Sequence, residues 1–194
     1  MAWIALAISS TLFTGFLLGW ILKKPGAGGG MIGASVGLGI QYFLASSPDA
    51  VFWSWVLVGG TFLLGLITID VAENLIFDRW GTRKRHTGEI VFEDYNETNL
   101  DEVHGQLVAG LPVFYLLSAE DFIARIIWLI FAFVLFRVFD TLKPGPVQWA
   151  ENFVPISING NGVVAFPIML DDTVAGILAA VSVGLLMLGV NFVM

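Results

Sequence analysis

The chain has no cysteine, which excludes disulfides, thiolate-bound zinc and cysteine nucleophiles and leaves the redox compartment without a trace. Charge is scarce as well: only 13% of the 194 residues are Asp, Glu, Lys or Arg, where a soluble domain carries about 25%. The little there is leans acidic. Sixteen Asp and Glu against nine Lys and Arg give a formal net charge of -7, which argues against any nucleic-acid partner, since phosphate backbones are held by clustered cations. Histidine is limited to His86 and His104, too few for a histidine-built metal centre. Apolar residues fill the rest, at 57% of the chain and a mean hydropathy of +0.83. This is the composition of a membrane protein, with a ceiling of roughly six or seven spans of about 20 residues each. No length remains for a separate soluble catalytic domain.

Six apolar segments stand out: residues 2–22, 31–47, 51–69, 103–119, 122–136 and 173–194. The third continues in helical spacing to Asp78, the fourth contains Pro112 and the fifth has Arg125 near its start. Only helices and closed barrels satisfy backbone groups in lipid, and the alternation of barrel strands is missing here. The expected fold is therefore all-α, a polytopic membrane bundle of about six spans forming a single membrane-embedded domain over residues 1–194. The first segment lacks the basic stretch that precedes the apolar core of a signal peptide, so it is expected to stay in the mature protein. The second and fourth segments are also compatible with re-entrant or interfacial elements.

Basic residues follow segment one (Lys23, Lys24), segment three (Arg79, Arg83, Lys84, Arg85) and segment five (Arg137, Lys143). If every segment crosses, these share one side, and the positive-inside rule makes it cytoplasmic with both termini outside. The acids then gather at the same boundary: Asp70, Glu73, Asp78, Asp101, Glu102, Asp140, Asp171 and Asp172. The outer face carries little beyond Asp49, Glu120 and Asp121. Ionisable groups at one edge of a bundle are costly unless they pair, bind an ion or meet water, so this asymmetry points to a site.

Three segments carry the chemistry. In LDEVHGQ, Asp101 and Glu102 open a helix with Gln106 one turn beyond Glu102 on the same face. In LDDTVAG, Asp171 and Asp172 repeat the arrangement. Both pairs also suit plain helix caps, because acids at an N-terminus complement the dipole. In FRVFDTLKPGP, Arg137, Asp140 and Lys143 recur at threes on one helical face until Pro144 ends it, which suits either an internal ion pair or a phosphate site. Carboxylates hold a hard divalent cation while Arg and Lys neutralise phosphate oxygens, so Mg²⁺ fits better than zinc. His104 reads as a helix-face hydrogen-bonder. The turn KKPGAGGG, with Lys23, Lys24 and Gly28, offers free amides for an anion or is a flexible hairpin.

LDEVHGQ, FRVFDTLKPGPVQW and IMLDDTVAG, in this order and spacing, resemble the three signature segments of the phosphatidylglycerophosphatase A family. KKPGAGGGMIGAS is similar to a loose form of that family's Pro-Gly-Thr-x-Gly-Ser turn. The resemblance implies a Mg²⁺-dependent phosphatase of the bacterial inner membrane, converting phosphatidylglycerophosphate to phosphatidylglycerol plus inorganic phosphate at the cytoplasmic leaflet. Asp101, Glu102, Asp171 and Asp172 would hold one or two Mg²⁺, and Arg137 and Lys143 would bind phosphoryl oxygens. Asp140 would complete the metal shell or act as base or nucleophile, with Lys23, Lys24, Gly28 and Gln106 toward the substrate. The partners are a phospholipid and the bilayer, and a homo-oligomer is compatible with both. Departures at Lys143-Pro144-Gly145-Pro146 and at NGNGVVAFP, residues 159–167, bear on the head group more than on the metal chemistry. Rival readings are a phosphatase for a different lipid phosphate, a small divalent-cation transporter or channel, and a structural subunit of a larger complex.

Overall fold

The computed structural model describes residues 1–24, 28–81, 83–84, 90–91, 95, 97–153 and 165–193. Arg85, His86, the acids Glu89, Glu93 and Asp94, and most of NGNGVVAFP lie outside the described residues. The elements in chain order are α1 (Ala2–Ser9), a 3₁₀ turn (Thr14–Phe16), α2 (Leu17–Leu22), α3 (Gly29–Leu44), α4 (Ala50–Trp80), α5 (Leu100–Ala109), α6 (Leu111–Leu116), α7 (Phe122–Leu142), α8 (Gly145–Glu151) and α9 (Ala165–Val193). Between α4 and α5, Arg83–Lys84 and Ile90–Val91 pair as a minimal antiparallel ladder. Everything else regular among the described residues is helical.

Among the described residues, three helices are long and apolar enough to cross a membrane: α4, α7 and α9. Their outward residues, among them Phe52, Ile67, Ile127, Ile130 and Leu185, are large, apolar and exposed, as lipid contact requires. The expected six spans are not reproduced, and each shortfall has a local cause. Segment one is broken: α1 and the stretch Thr14–Leu22 meet at 70°, across Thr11, Leu12 and Phe13 in left-handed conformation, so they add a fourth crossing only if the bent pair is one span. The second segment, α3, has 16 residues, about 24 Å of helix against a hydrocarbon core of about 30 Å. The fourth is cut in two. Pro112 sits in the first turn of α6, where its missing N–H costs nothing, and Gly110 is the joint before it. A side chain at Gly110 would collide with the amide of Gln41.

The short helix α5 lies at the centre. Every residue of it except Glu102 is buried. One side is covered by the glycine face of α3: a Cβ at Gly33 would come within 2.5 Å of the Asn99 carbonyl, and one at Gly37 within 2.8 Å of Gln106 Cβ. On the other side, a Cβ at Gly176 of α9 would lie 2.5 Å from the Gly105 carbonyl. Small residues let backbones approach this closely. Gln41 and Gln106 lock the α3 contact, because Gln106 Nε2 donates to Gln41 Oε1 (2.9 Å) while Gln41 Nε2 donates to the carbonyls of Gln106 and Leu107 (3.1 Å each). Gln106, expected near the substrate, is thus an interior fastening.

At the far end of the bundle from the acids, Arg125 is 3% exposed. Its guanidinium donates to the carbonyls of Ala45 (2.9 Å), Ser47 (3.3 Å) and Leu117 (2.7 Å), tying the ends of α3 and α6 to α7. Arg125→Met keeps the apolar stem and removes the donors, leaving helix-end carbonyls without partners. It should lower stability by about 3 kcal/mol, read as a fall in the thermal midpoint in detergent.

Candidate active site

Helix α9 begins at Ala165, well before the expected start at Thr173. Pro167 falls in its first turn, and Asp70 of α4 accepts the Ala165 N–H at 2.8 Å. Asp171 and Asp172 therefore lie inside the helix rather than at its end, which removes the capping explanation for this pair. Both are buried, Asp172 at 3% exposed. Asp101 and Glu102 do occupy the first turn of α5, but Asn99 holds the cap position there.

The close contact of α5 with α9 brings these acids together. Asp101, Glu102 and Asp172 each offer a carboxylate oxygen, and the three oxygens lie within 4.8 Å of one another. Glu102 Oε2 is buried and accepts no hydrogen bond from any described residue. Burial first, and then the charge of Asp172, push the Glu102 carboxyl well above its ordinary pKa. Three carboxylates so close are short of positive charge. An all-oxygen set with a spare buried lone pair fits a hard divalent cation and not a soft one.

Helix α7 supplies the cations. Arg137 Nη1 lies 2.8 Å from Asp140 on the same helical face, while its Nε is buried and donates to no described residue. The N-terminal turn of α3 borders the same spot: a Cβ at Gly30 would come 2.5 Å from Glu102 Oε1 and 3.2 Å from Arg137 Nη2. Gly28, the cap of α3, is left-handed at φ 72°. The first turn of α3 thus borders a guanidinium and a carboxylate at once.

Lys143 ends α7 in left-handed conformation and donates to Glu151 of α8 (2.7 Å) and Asp171 of α9 (2.9 Å). Burial works against its charge, but Asp171 and then Glu151 outweigh that, and the ammonium is held above its ordinary pKa. Lys143 is a fixed cation rather than a proton donor. Asp171 is engaged by Lys143 and does not join the triad of Asp101, Glu102 and Asp172. Lys23 and Lys24 are exposed.

Sequence reasoning counted Asp70 and Glu73 among the acids at one boundary but gave neither a role as an anchor. Glu73, 4% exposed on α4, accepts the Tyr95 N–H (3.2 Å) and the Thr98 hydroxyl (2.8 Å), fixing the approach to α5. Asp70 caps α9 as described. The available signal was an acid late in an otherwise apolar helix, which implies a buried partner. The glycines at 30, 33 and 37 were equally visible as a row at helical spacing, the pattern of a close helix contact.

Fold and site together define a membrane-embedded helical protein whose buried carboxylates and guanidinium converge where four helices meet. A model of the family described as Phosphatidylglycerophosphatase A matches residues 11–187, and the chain belongs to that family, as a phosphatidylglycerophosphatase of the membrane lipid phosphatase kind. It is 27% identical over 172 residues to the phosphatidylglycerophosphatase A of Haemophilus influenzae, covering 89% of this chain and 84% of that one. It is also 29% identical over 164 residues to a Bacteroides thetaiotaomicron protein provisionally named a phosphatidylinositol-3-phosphatase, covering 84% of each. No solved structure matches the chain significantly.

Asp171→Asn distinguishes a cap from a clamp. A cap would tolerate the change almost without loss, whereas losing the charged partner of Lys143 should cost about 2 kcal/mol, again read from the thermal midpoint.

Proposed function

We propose that the protein hydrolyses the terminal phosphate monoester of phosphatidylglycerophosphate, giving phosphatidylglycerol and inorganic phosphate, with Mg²⁺, at the cytoplasmic leaflet of the bacterial inner membrane. The whole chain acts as one domain in this reading. The observation that carries it is the oxygen triad of Asp101, Glu102 and Asp172 together with the guanidinium of Arg137, whose buried Nε donates to no described residue.

Phosphate monoesters hydrolyse extremely slowly unaided, so the site must above all stabilise charge. Asp101, Glu102 and Asp172 would hold the cation, whose contribution when bound is to neutralise and polarise phosphoryl oxygens. Arg137 presents its free donors to the remaining oxygens, oriented by Asp140 at 2.8 Å. The amides opening α3 add a second set of donors. Lys143 supplies fixed positive charge and holds α8 against α9, so it acts on the site through Asp171. Asp140, beyond orienting Arg137, serves as base or nucleophile. The monoester takes up one water, the P–O bond to the glycerol breaks, and the leaving alkoxide gains the proton.

The likeness to the Bacteroides thetaiotaomicron protein supports a second reading in which the same chemistry acts on a phosphoinositide. Purified protein in detergent, given phosphatidylglycerophosphate or phosphatidylinositol 3-phosphate with Mg²⁺ or with chelator, separates the readings by phosphate release. Turnover of the first substrate, abolished by chelator, is expected. Magnesium should also raise the thermal midpoint, since a ligand of the folded state stabilises it. Asp172→Asn should lose both that rise and the activity, while a retained rise would remove this acid from the metal set.

Arg137→Lys keeps the charge but loses the planar fork, so turnover should fall about a hundredfold with folding intact. For the leaflet, single cysteines at positions 83 and 120 should react with an impermeant thiol reagent from opposite sides of sealed vesicles, position 83 on the cytoplasmic side. Labelling of both from one side would overturn the topology.

A further inference from the structure

An apolar cavity of about 450 Å³ lies between α4, α5 and α9 and opens on the outer surface of the bundle. Its walls include Gly59 and Phe62 of α4 and Ile177 and Val181 of α9, and its floor at one end is His104 and Thr173. That end adjoins the acids. Thr173 follows Asp172 directly, and His104 stands one turn after Asp101 on the same face of α5. The polar floor is tied down, because His104 hydrogen-bonds Thr173 Oγ1 (3.0 Å) and Thr61 Oγ1 (3.1 Å). From there the groove runs away from the charged end along both long helices. Between Thr173 and Val181 the helix advances about 12 Å, close to one leaflet's share of the hydrocarbon core, about 15 Å.

We infer that this groove holds an acyl chain of the lipid whose phosphate is hydrolysed, and so sets the depth of the head group against Asp101, Glu102 and Asp172. The inference rests on the lipid phosphatase reading and deepens it. Direction and reach select the occupant: a polar end beside the acids, an apolar trough one leaflet long, and a lateral opening toward lipid. A second apolar groove between α7 and α9, lined by Ile127, Phe131 and Leu186, does not share this relation. Its Leu186 lies about 20 Å along α9 from Asp172, so its occupant is bulk lipid.

Gly59 provides the test, because a Cβ there meets nothing within 4 Å, and the same holds at its neighbour Gly60, which does not line the groove. Gly59→Leu fills the trough without a clash, and Gly60→Leu adds the same bulk and helix propensity outside it. Both variants and the parent protein are assayed in mixed micelles with dioleoyl and with dihexanoyl phosphatidylglycerophosphate. Gly59→Leu should raise KM about tenfold for the dioleoyl lipid, the loss of roughly two methylene contacts. The dihexanoyl lipid, with far less chain to seat beyond Gly59, should lose much less, and Gly60→Leu should match the parent on both. Unchanged kinetics of Gly59→Leu on the long-chain lipid would overturn the assignment and leave bulk lipid in the groove. An equal loss on both chain lengths would overturn it too, making the groove architectural. Absence of turnover by the parent protein on either lipid would instead strike the substrate reading on which the assignment rests.

Discussion

Burying α5 is the constraint on which the rest depends. A ten-residue helix carries unpaired amides at its start and unpaired carbonyls at its end, and in an apolar bundle each must find a partner. Two neighbours approach at backbone distance because Gly33 and Gly37 of α3 and Gly176 of α9 offer no side chain at the contacts. Gln41 then supplies an amide to the carbonyls of Gln106 and Leu107. The same closeness that buries α5 forces Asp101 and Glu102 against Asp172. Packing and site are one arrangement.

Charge at this end of the bundle divides into two kinds. Asp70, Glu73 and Asp171 are acids with structural partners: a helix N-terminus, the stretch before α5 and the ammonium of Lys143. Their pairing keeps the ends of α4, α5, α8 and α9 in register. Glu102 keeps a buried oxygen without a hydrogen bond, and Arg137 keeps a buried Nε without one. Polar groups left short in this way are expensive in a structure that otherwise satisfies its ends. A carboxylate with one oxygen lacking a donor and a guanidinium with one nitrogen lacking an acceptor, both bordering Gly30, suit a cation and an anion together.

The helical, membrane-embedded class was legible from hydropathy alone, and the runs 51–69, 122–136 and 173–194 became α4, α7 and α9. The span count was not, because a run of apolar residues does not show whether its helix is continuous. Left-handed Thr11, Leu12 and Phe13 bend the first segment, and the joint at Gly110 with Pro112 divides the fourth. The site residues were legible as motifs, whereas their grouping was not. Asp171 and Asp172 are neighbours in sequence, yet a helix turns about 100° per residue, so one faces Lys143 and the other faces α5. Gln106, on the expected face one turn from Glu102, is absorbed by Gln41, a partner 65 residues away. Long-range pairing of this kind has no local signature.

Head-group choice follows from how little of the charged centre is shaped for anything but phosphate. In the proposed mechanism Asp101, Glu102, Asp172 and Arg137 address oxygens that every phosphate monoester shares, and none of them would distinguish a glycerol from an inositol beyond it. The two relatives bear the names of phosphatases for different head groups at nearly equal identity, 27% and 29%, as expected when the common chemistry sits in a common core. Discrimination must then come from groups lying farther out along the lipid. On one side is the turn Lys143-Pro144-Gly145-Pro146 between α7 and α8, where the chain departs from the family's usual motif. On the other is the trough beside Thr173. Chain depth is set in the membrane and head-group shape at its surface, so the central carboxylates need only meet whatever phosphate those two boundaries deliver.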